Sequence, residues 1–157
     1  MSRPSQACLV ALLAGACLTT SALLSSASEE ADDRAQVAGV AHDYFEAWYT
    51  ADPERMGRAL HPDMVKRYVE ALPGGRQVVQ SVTRDLMVEM TRAGGGSKTP
   101  ADRRDIGVDV LDVSNDIAIA RASSSEYLEY LSLARCNGQW AIINILWRFQ
   151  DAPKAAR

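Results

Sequence analysis

Apolar residues recur at helical spacing from Ala35 onward, where Val37, Val40, Ala41, Tyr44, Phe45 and Trp48 share one stripe. This predicts a helix of about four turns whose last turn carries bulky aromatics. In "TADPERMGRALHP" a second helix is marked at both ends. Asp52 is a good N-cap, Pro53 suits the first helical position, Glu54 favours the positive end, and Pro62 discourages continuation. Met56, Ala59 and Leu60 form its inner face. The stretch "MVKRYVEALPGGRQVVQS" reads as two short strands around a Pro73-Gly74-Gly75 turn, with a helical turn as the alternative for the first. Ser81 is placed to cap a third helix running to about Arg92, with Val82, Leu86 and Met90 as its stripe and Gly94 to Gly96 as its stop.

After the glycines and the polar loop "SKTPADRR", the periodicity changes to alternation. "DIGVDVLDV", "DIAIARASS", "EYLEYLSLAR" and "GQWAIINILWRFQ" read as four strands, and Asn137-Gly138 is the strongest hairpin signal in the chain. Helices grouped first and strands grouped last predict an α+β fold, with three helices packed on one face of a curved antiparallel sheet. The last strand is unusual. Strict alternation puts Trp140, Ile142, Asn144 and Leu146 on one side and Ala141, Ile143, Ile145 and Trp147 on the other, so both faces are apolar and both need covering.

The first residues change the picture of the N-terminus. Arg3, an apolar run from Ala7 to Leu18, and small residues at Ser25 and Ala27 have the layout of a secretory signal peptide cleaved after Ala27. The run is too short and too interrupted by Thr19, Thr20 and Ser21 for a stable membrane span. An exported chain, periplasmic or secreted, is expected; "LLAGAC" offers the alternative of a lipid anchor on Cys17. The remaining organisation is a flexible start over 28–34, one domain over 35–150 and a loose tail over 151–157.

The 157 residues carry 17 Lys and Arg against 20 Asp and Glu, a net charge of −3. Such a surface gives no reason to expect nucleic acid or an anionic membrane as a partner. Cleavage would leave Cys136 as the only cysteine, so an intrachain disulfide is impossible and packing must stabilise the fold. The glycine run 94–96 follows a helix and precedes a loop, the reverse of the phosphate-binding order.

Three helices, a small hairpin and a four-stranded meander ending in "G-x-W-x-I" resemble the nuclear transport factor 2-like superfamily. Within it, "YFEAWYTADPERMGRALHPDMVKR", "VLDVSNDIAIARA" and "EYLEYLSLARCNGQWAIINILW" look like the lumazine-binding group, near the SnoaL-like proteins. The resemblance runs from about Val37 to Phe149. It implies a cone-shaped domain, often dimeric, with a pocket between the helices and the concave sheet, and relatives that include isomerases, cyclases and dehydratases. On this plan one face of the last strand lines the cone and the other meets a second subunit. Trp140, Ile142 and Asn144 are then expected inside, and Trp147 at a homodimer interface.

His61 and Asp63 in "LHPD" are the candidate catalytic pair, since a histidine at a helix end beside a carboxylate can move protons next to a carbonyl. The plainer reading is a histidine that terminates the helix. Tyr44, Trp48, Tyr127 and Tyr130 offer stacking surfaces for a flat heterocycle, or simply core. Arg121 shares a face with Ile117 and Ile119, so it needs an anionic partner or an outlet to solvent. His42 and His61 are too far apart in sequence to make a metal motif, and no nucleophilic triad stands out. The expectation is a small-molecule-binding protein without cofactor or metal, its pocket built from Tyr44, Trp48, His61, Arg121 and Asn144. The alternatives are a cofactor-free isomerase, cyclase or dehydratase using His61, and a structural dimer with a collapsed pocket.

Overall fold

The computed structural model describes residues 11–150, with side chains from residue 28 onward. The chain divides into two units, residues 1–33 and 34–157. Of the leader expected over 1–27, residues 1–10 lie outside the described residues, as does the tail over 151–157. No helix among the described residues is long and apolar enough to cross a membrane.

Helix α1 (Ala11–Thr50) runs through residues 28–34, where a flexible start was expected. That stretch holds no proline or glycine, and its Glu, Ala and Arg residues are good helix formers. Within the second unit, Val37, Ala41, Tyr44 and Phe45 are buried as the stripe predicts, together with Ala47 and Tyr49. The Tyr49 hydroxyl donates to Ser124 Oγ at 2.8 Å, and burial pushes its pKa up to about 12. Ala51 takes a left-handed conformation (φ 56°), and Asp52 then caps α2 (Pro53–Ala59), its carboxylate accepting from the Arg55 N–H at 2.8 Å.

The hairpin alternative is the one adopted: β1 (Leu60–Ala71) and β2 (Gln77–Thr83) pair antiparallel across the Gly74-Gly75 turn. Pairing carries β2 past Ser81, which lies opposite Arg67, so the cap of α3 (Arg84–Arg92) is Thr83 instead. The buried side of α3 shifts with it to Met87 and Thr91, leaving Leu86 and Met90 largely exposed.

The predicted meander follows as β3 (Gly107–Ser114), β4 (Ile117–Ser123), β5 (Tyr127–Cys136) and β6 (Gln139–Phe149). The six strands form one sheet in the order β2-β1-β6-β5-β4-β3. All neighbours are antiparallel except β1 and β6, which run parallel, so the sheet is mixed. The result is an α+β fold in which one sheet face, carrying Ala118, Ala120, Leu131, Leu133, Ile142 and Ile145, shares a buried core with α1 and α2.

Candidate functional site

The register of β5 against β6 decides what enters the site. Leu133 pairs with Ile142 but the preceding Ser132 pairs with Asn144, leaving Ile143 as an extra residue. This β-bulge reverses the alternation partway along β6. Trp140 and Ile142 face the core before the bulge, and Ile145 and Trp147 face it afterwards. Asn144, exposed, turns to the opposite face. Two members of each set on β6 thus face inward, Trp140 and Ile142 from one and Ile145 and Trp147 from the other, while Leu146 is exposed on the outer face.

Beyond the bulge a cavity of ≈ 190 Å³ opens between α1, α3 and the inner sheet face. Its aromatic walls are Tyr44, Phe45 and Trp48 from α1, Tyr127 from β5, and Trp147 and Phe149 from β6. Trp147 packs on Tyr68, Tyr127 and Phe149 with ring centroids 5.0, 5.6 and 5.0 Å away, so its indole is held on several sides. Met87 and Met90 of α3 and Val82 of β2 complete the apolar lining.

A buried ion pair forms the polar wall. Lys66 Nζ lies 2.6 Å from Glu129 Oε1 and donates to the Tyr44 hydroxyl at 2.7 Å. Their side chains are 8 % and 1 % exposed, so the pair is removed from solvent screening. The ammonium also stands 4.7 Å from the Trp147 ring centre, 5.4 Å from Tyr44 and 5.7 Å from Tyr127. Burial lowers the Lys66 pKa, and Glu129 opposes that shift. Burial, then the Glu129 charge, holds the Tyr44 hydroxyl well above its ordinary value, and burial followed by Glu126 raises Tyr127.

Among the described residues, the buried side-chain polar atoms without a hydrogen-bond partner are Trp48 Nε1, Glu129 Oε2 and Trp147 Nε1. All three belong to cavity-lining residues. The Trp48 side chain acts against the rise at Tyr127. Buried polar groups are normally satisfied, so their concentration around one cavity marks this wall as unusual.

Gly95 and Gly96 set the position of Trp48. The Gly96 N–H donates to the Trp48 carbonyl at 3.0 Å. A Cβ on Gly95 would lie 2.6 Å from that carbonyl oxygen, and one on Gly96 would lie 2.6 Å from the indole nitrogen. The glycine run serves a close approach of backbone to an aromatic wall.

Of the expected site residues, Tyr44 and Trp48 line the cavity. His61 and Asp63 do not. They sit at the start of β1, where His61 Nδ1 accepts from the Asp63 N–H at 3.1 Å and the Asp63 side chain is 92 % exposed. Arg121 is on the outer sheet face, 3.2 Å from Asp109. Asn144 is also there, accepting from Arg67 at 3.0 Å, which corrects the expectation that it faces the pocket. Trp147, expected on the far side, is inside. Tyr127 is in the cavity and Tyr130 on the outer face. Among the described residues, no three His, Cys, Asp or Glu side chains converge on a metal position.

Lys66 and Glu129 were missed. Their signal was present: Lys66 alternates with Met64 and Tyr68, and Glu129 with Tyr127 and Leu131, so each charge falls in phase with an apolar face.

The family model described as "Putative lumazine-binding" matches residues 32–148. No curated protein matches the chain. Among solved structures, an NTF2-like protein of unknown function from Shewanella baltica is similar with a TM-score of 0.63 at 12 % identity, covering 78 % of this chain and 97 % of that one. An NTF2-like protein with a cystatin-like fold from Novosphingobium aromaticivorans gives 0.58 at 17 % identity, covering 85 % and 92 %. A ketosteroid isomerase-like protein from Erwinia carotovora atroseptica gives 0.50 at 17 % identity, covering 75 % and 96 %. At these identities the structural likeness establishes the fold. The family match spans most of the chain, and the protein therefore belongs to the family described as "Putative lumazine-binding", with the fold of the NTF2-like structures.

Proposed function

We propose that the protein binds a flat aromatic small molecule in the cavity between α1, α3 and the sheet. The observation that carries this reading is the aromatic cavity around the buried Lys66–Glu129 pair, with three unpartnered polar atoms in its lining residues. Aromatic walls around a few polar groups are the usual makeup of a small-molecule site. The family description names lumazine as the ligand class to try first. His61 stands outside the cavity, its Nδ1 accepting from the Asp63 N–H.

Titration with lumazine and with riboflavin is expected to quench the tryptophan fluorescence saturably, because Trp48 and Trp147 line the cavity. Trp147→Ala should weaken the affinity about tenfold or more, corresponding to ~1.4 kcal/mol. An unchanged affinity in this variant would place the ligand elsewhere, and no saturable change with either probe would remove this ligand class.

The protein is further proposed to be an exported homodimer. Export is supported by Arg3, the Ala7–Leu18 run and the small residues before Ser28, and the mass of the chain from an exported fraction tests it. The dimer is supported by the outer sheet face, where Ile117, Ile119, Tyr130 and Leu146 are exposed together on adjoining strands. Sedimentation is expected to report a dimer for the wild type and a monomer for Leu146→Glu. A monomeric wild type at micromolar concentration would reject the assembly.

A further inference from the structure

We propose that Lys66 is a covalent capture site, its amine condensing with the carbonyl carbon of an aryl or conjugated aldehyde or ketone seated in the cavity, with Glu129 as proton shuttle and counter-ion. This deepens the small-molecule reading and rests on it.

The chain has 14 arginines and 3 lysines, at positions 66, 98 and 154. Its exposed ion pairs among the described residues, such as Arg55 with Asp43 and Arg121 with Asp109, use arginine. The buried pair on the cavity wall uses lysine. A guanidinium serves better in a purely structural ion pair because it bonds carboxylate in a planar fork and keeps its proton. An amine can surrender its proton and attack carbon.

Lys66 Nζ is 2.6 Å from Glu129 Oε1, close enough for direct proton transfer, and 2.7 Å from the Tyr44 hydroxyl. Glu129 Oε2 has no partner, so a second carboxylate oxygen remains to exchange a proton with bound substrate. Burial, which weakens the amine's hold on its proton, acts in the same direction.

The step balances within these groups. Lys66 passes one proton to Glu129, and the neutral amine forms the N–C bond while the carbonyl π electrons move to oxygen. One N–H proton then shifts to that oxygen, giving a carbinolamine. Glu129 returns its proton to the hydroxyl, the C–O bond breaks, water leaves, and the nitrogen lone pair forms the C=N bond. Ammonium plus carbonyl has become iminium plus water. The charge is unchanged, so the product keeps its pairing with the Glu129 carboxylate and its place beside the Trp147 ring.

The test treats the purified wild-type chain near neutral pH with benzaldehyde or 2-naphthaldehyde and sodium cyanoborohydride, and locates the alkylated lysines by peptide mass mapping. Lys98, which is exposed, is the reference within the same molecule. The proposal expects Lys66 to be alkylated about tenfold or more faster than Lys98, because Glu129 takes and returns the proton beside it and the cavity seats the aldehyde. Glu129→Gln, which keeps the side-chain shape, should reduce Lys66 alkylation to the Lys98 rate or below. Alkylation of Lys98 with Lys66 unmodified would overturn the proposal, and so would a Lys66 rate unaffected by Glu129→Gln in a folded variant. Quenching by lumazine on the same sample separates the failures: if it persists with Lys66 unmodified, the imine is wrong and the binding cavity stands.

Discussion

Replacing Glu129 alone by leucine should destabilise the fold by about 3–5 kcal/mol, whereas Lys66→Met combined with Glu129→Leu should recover most of that loss. The single change leaves an ammonium 8 % exposed among aromatic rings with only the Tyr44 hydroxyl as an oxygen partner. The double change replaces two desolvated ions by apolar groups of similar reach. Urea unfolding midpoints of the two singles and the double form the necessary cycle. A double variant as unstable as the worse single would show that the pair is not the source of the cost.

The loss in Glu129→Leu has a defined pH dependence. Burial lowers the Lys66 pKa below its ordinary 10.5, and removing Glu129 takes away the interaction that opposes that shift. With the folded value below the unfolded one, the unfolded chain binds more protons between the two, so stability rises with pH across that window. The destabilisation should therefore be largest below the lowered Lys66 pKa and shrink as pH approaches 10.5. A cost independent of pH would mean that it comes from lost packing.

Gly95→Ala is expected to cost on the order of 3 kcal/mol, from a left-handed backbone and an overpacked contact acting together. Gly95 has φ +46°, and its added Cβ would meet the Trp48 carbonyl oxygen at 2.6 Å, a backbone atom that cannot rotate away. Gly96→Ala presses instead on the rings of Trp48 and Tyr49, at 2.6 to 2.8 Å, and should cost ~1–3 kcal/mol while displacing the indole at the cavity wall. Two controls separate the causes. Gly138 has φ +78° and open space around its Cβ position, so Gly138→Ala isolates backbone strain, at about 1 kcal/mol. Gly39, within α1 and with nothing near, should become more stable as alanine by roughly 0.5–1 kcal/mol. Thermal unfolding of the four variants orders them. Equal losses at Gly95 and Gly138 would rule out the contact with Trp48.

The sequence alone determined the pieces whose causes are local. The Val37 to Phe45 stripe, the Asp52 cap before Pro53, the Pro73-Gly74-Gly75 turn and the Asn137-Gly138 hairpin each depend on residues within a few positions of one another, and each is present. That Tyr44 and Trp48 share one inward stripe was legible for the same reason, since both lie on one periodic helix. Tertiary structure decided the rest. The bulge at Ile143 exists only in the register between β5 and β6, and that one extra residue moved Asn144 out and Trp147 in. The parallel pairing of β1 with β6 and the extension of β2 past Ser81 are likewise agreements between strands, not properties of either one. Lys66 and Glu129 are 63 residues apart, and nothing in local propensity brings them together. Periodicity records which face of an element is apolar, but the partner across that face is selected when the strands pair and the core excludes water.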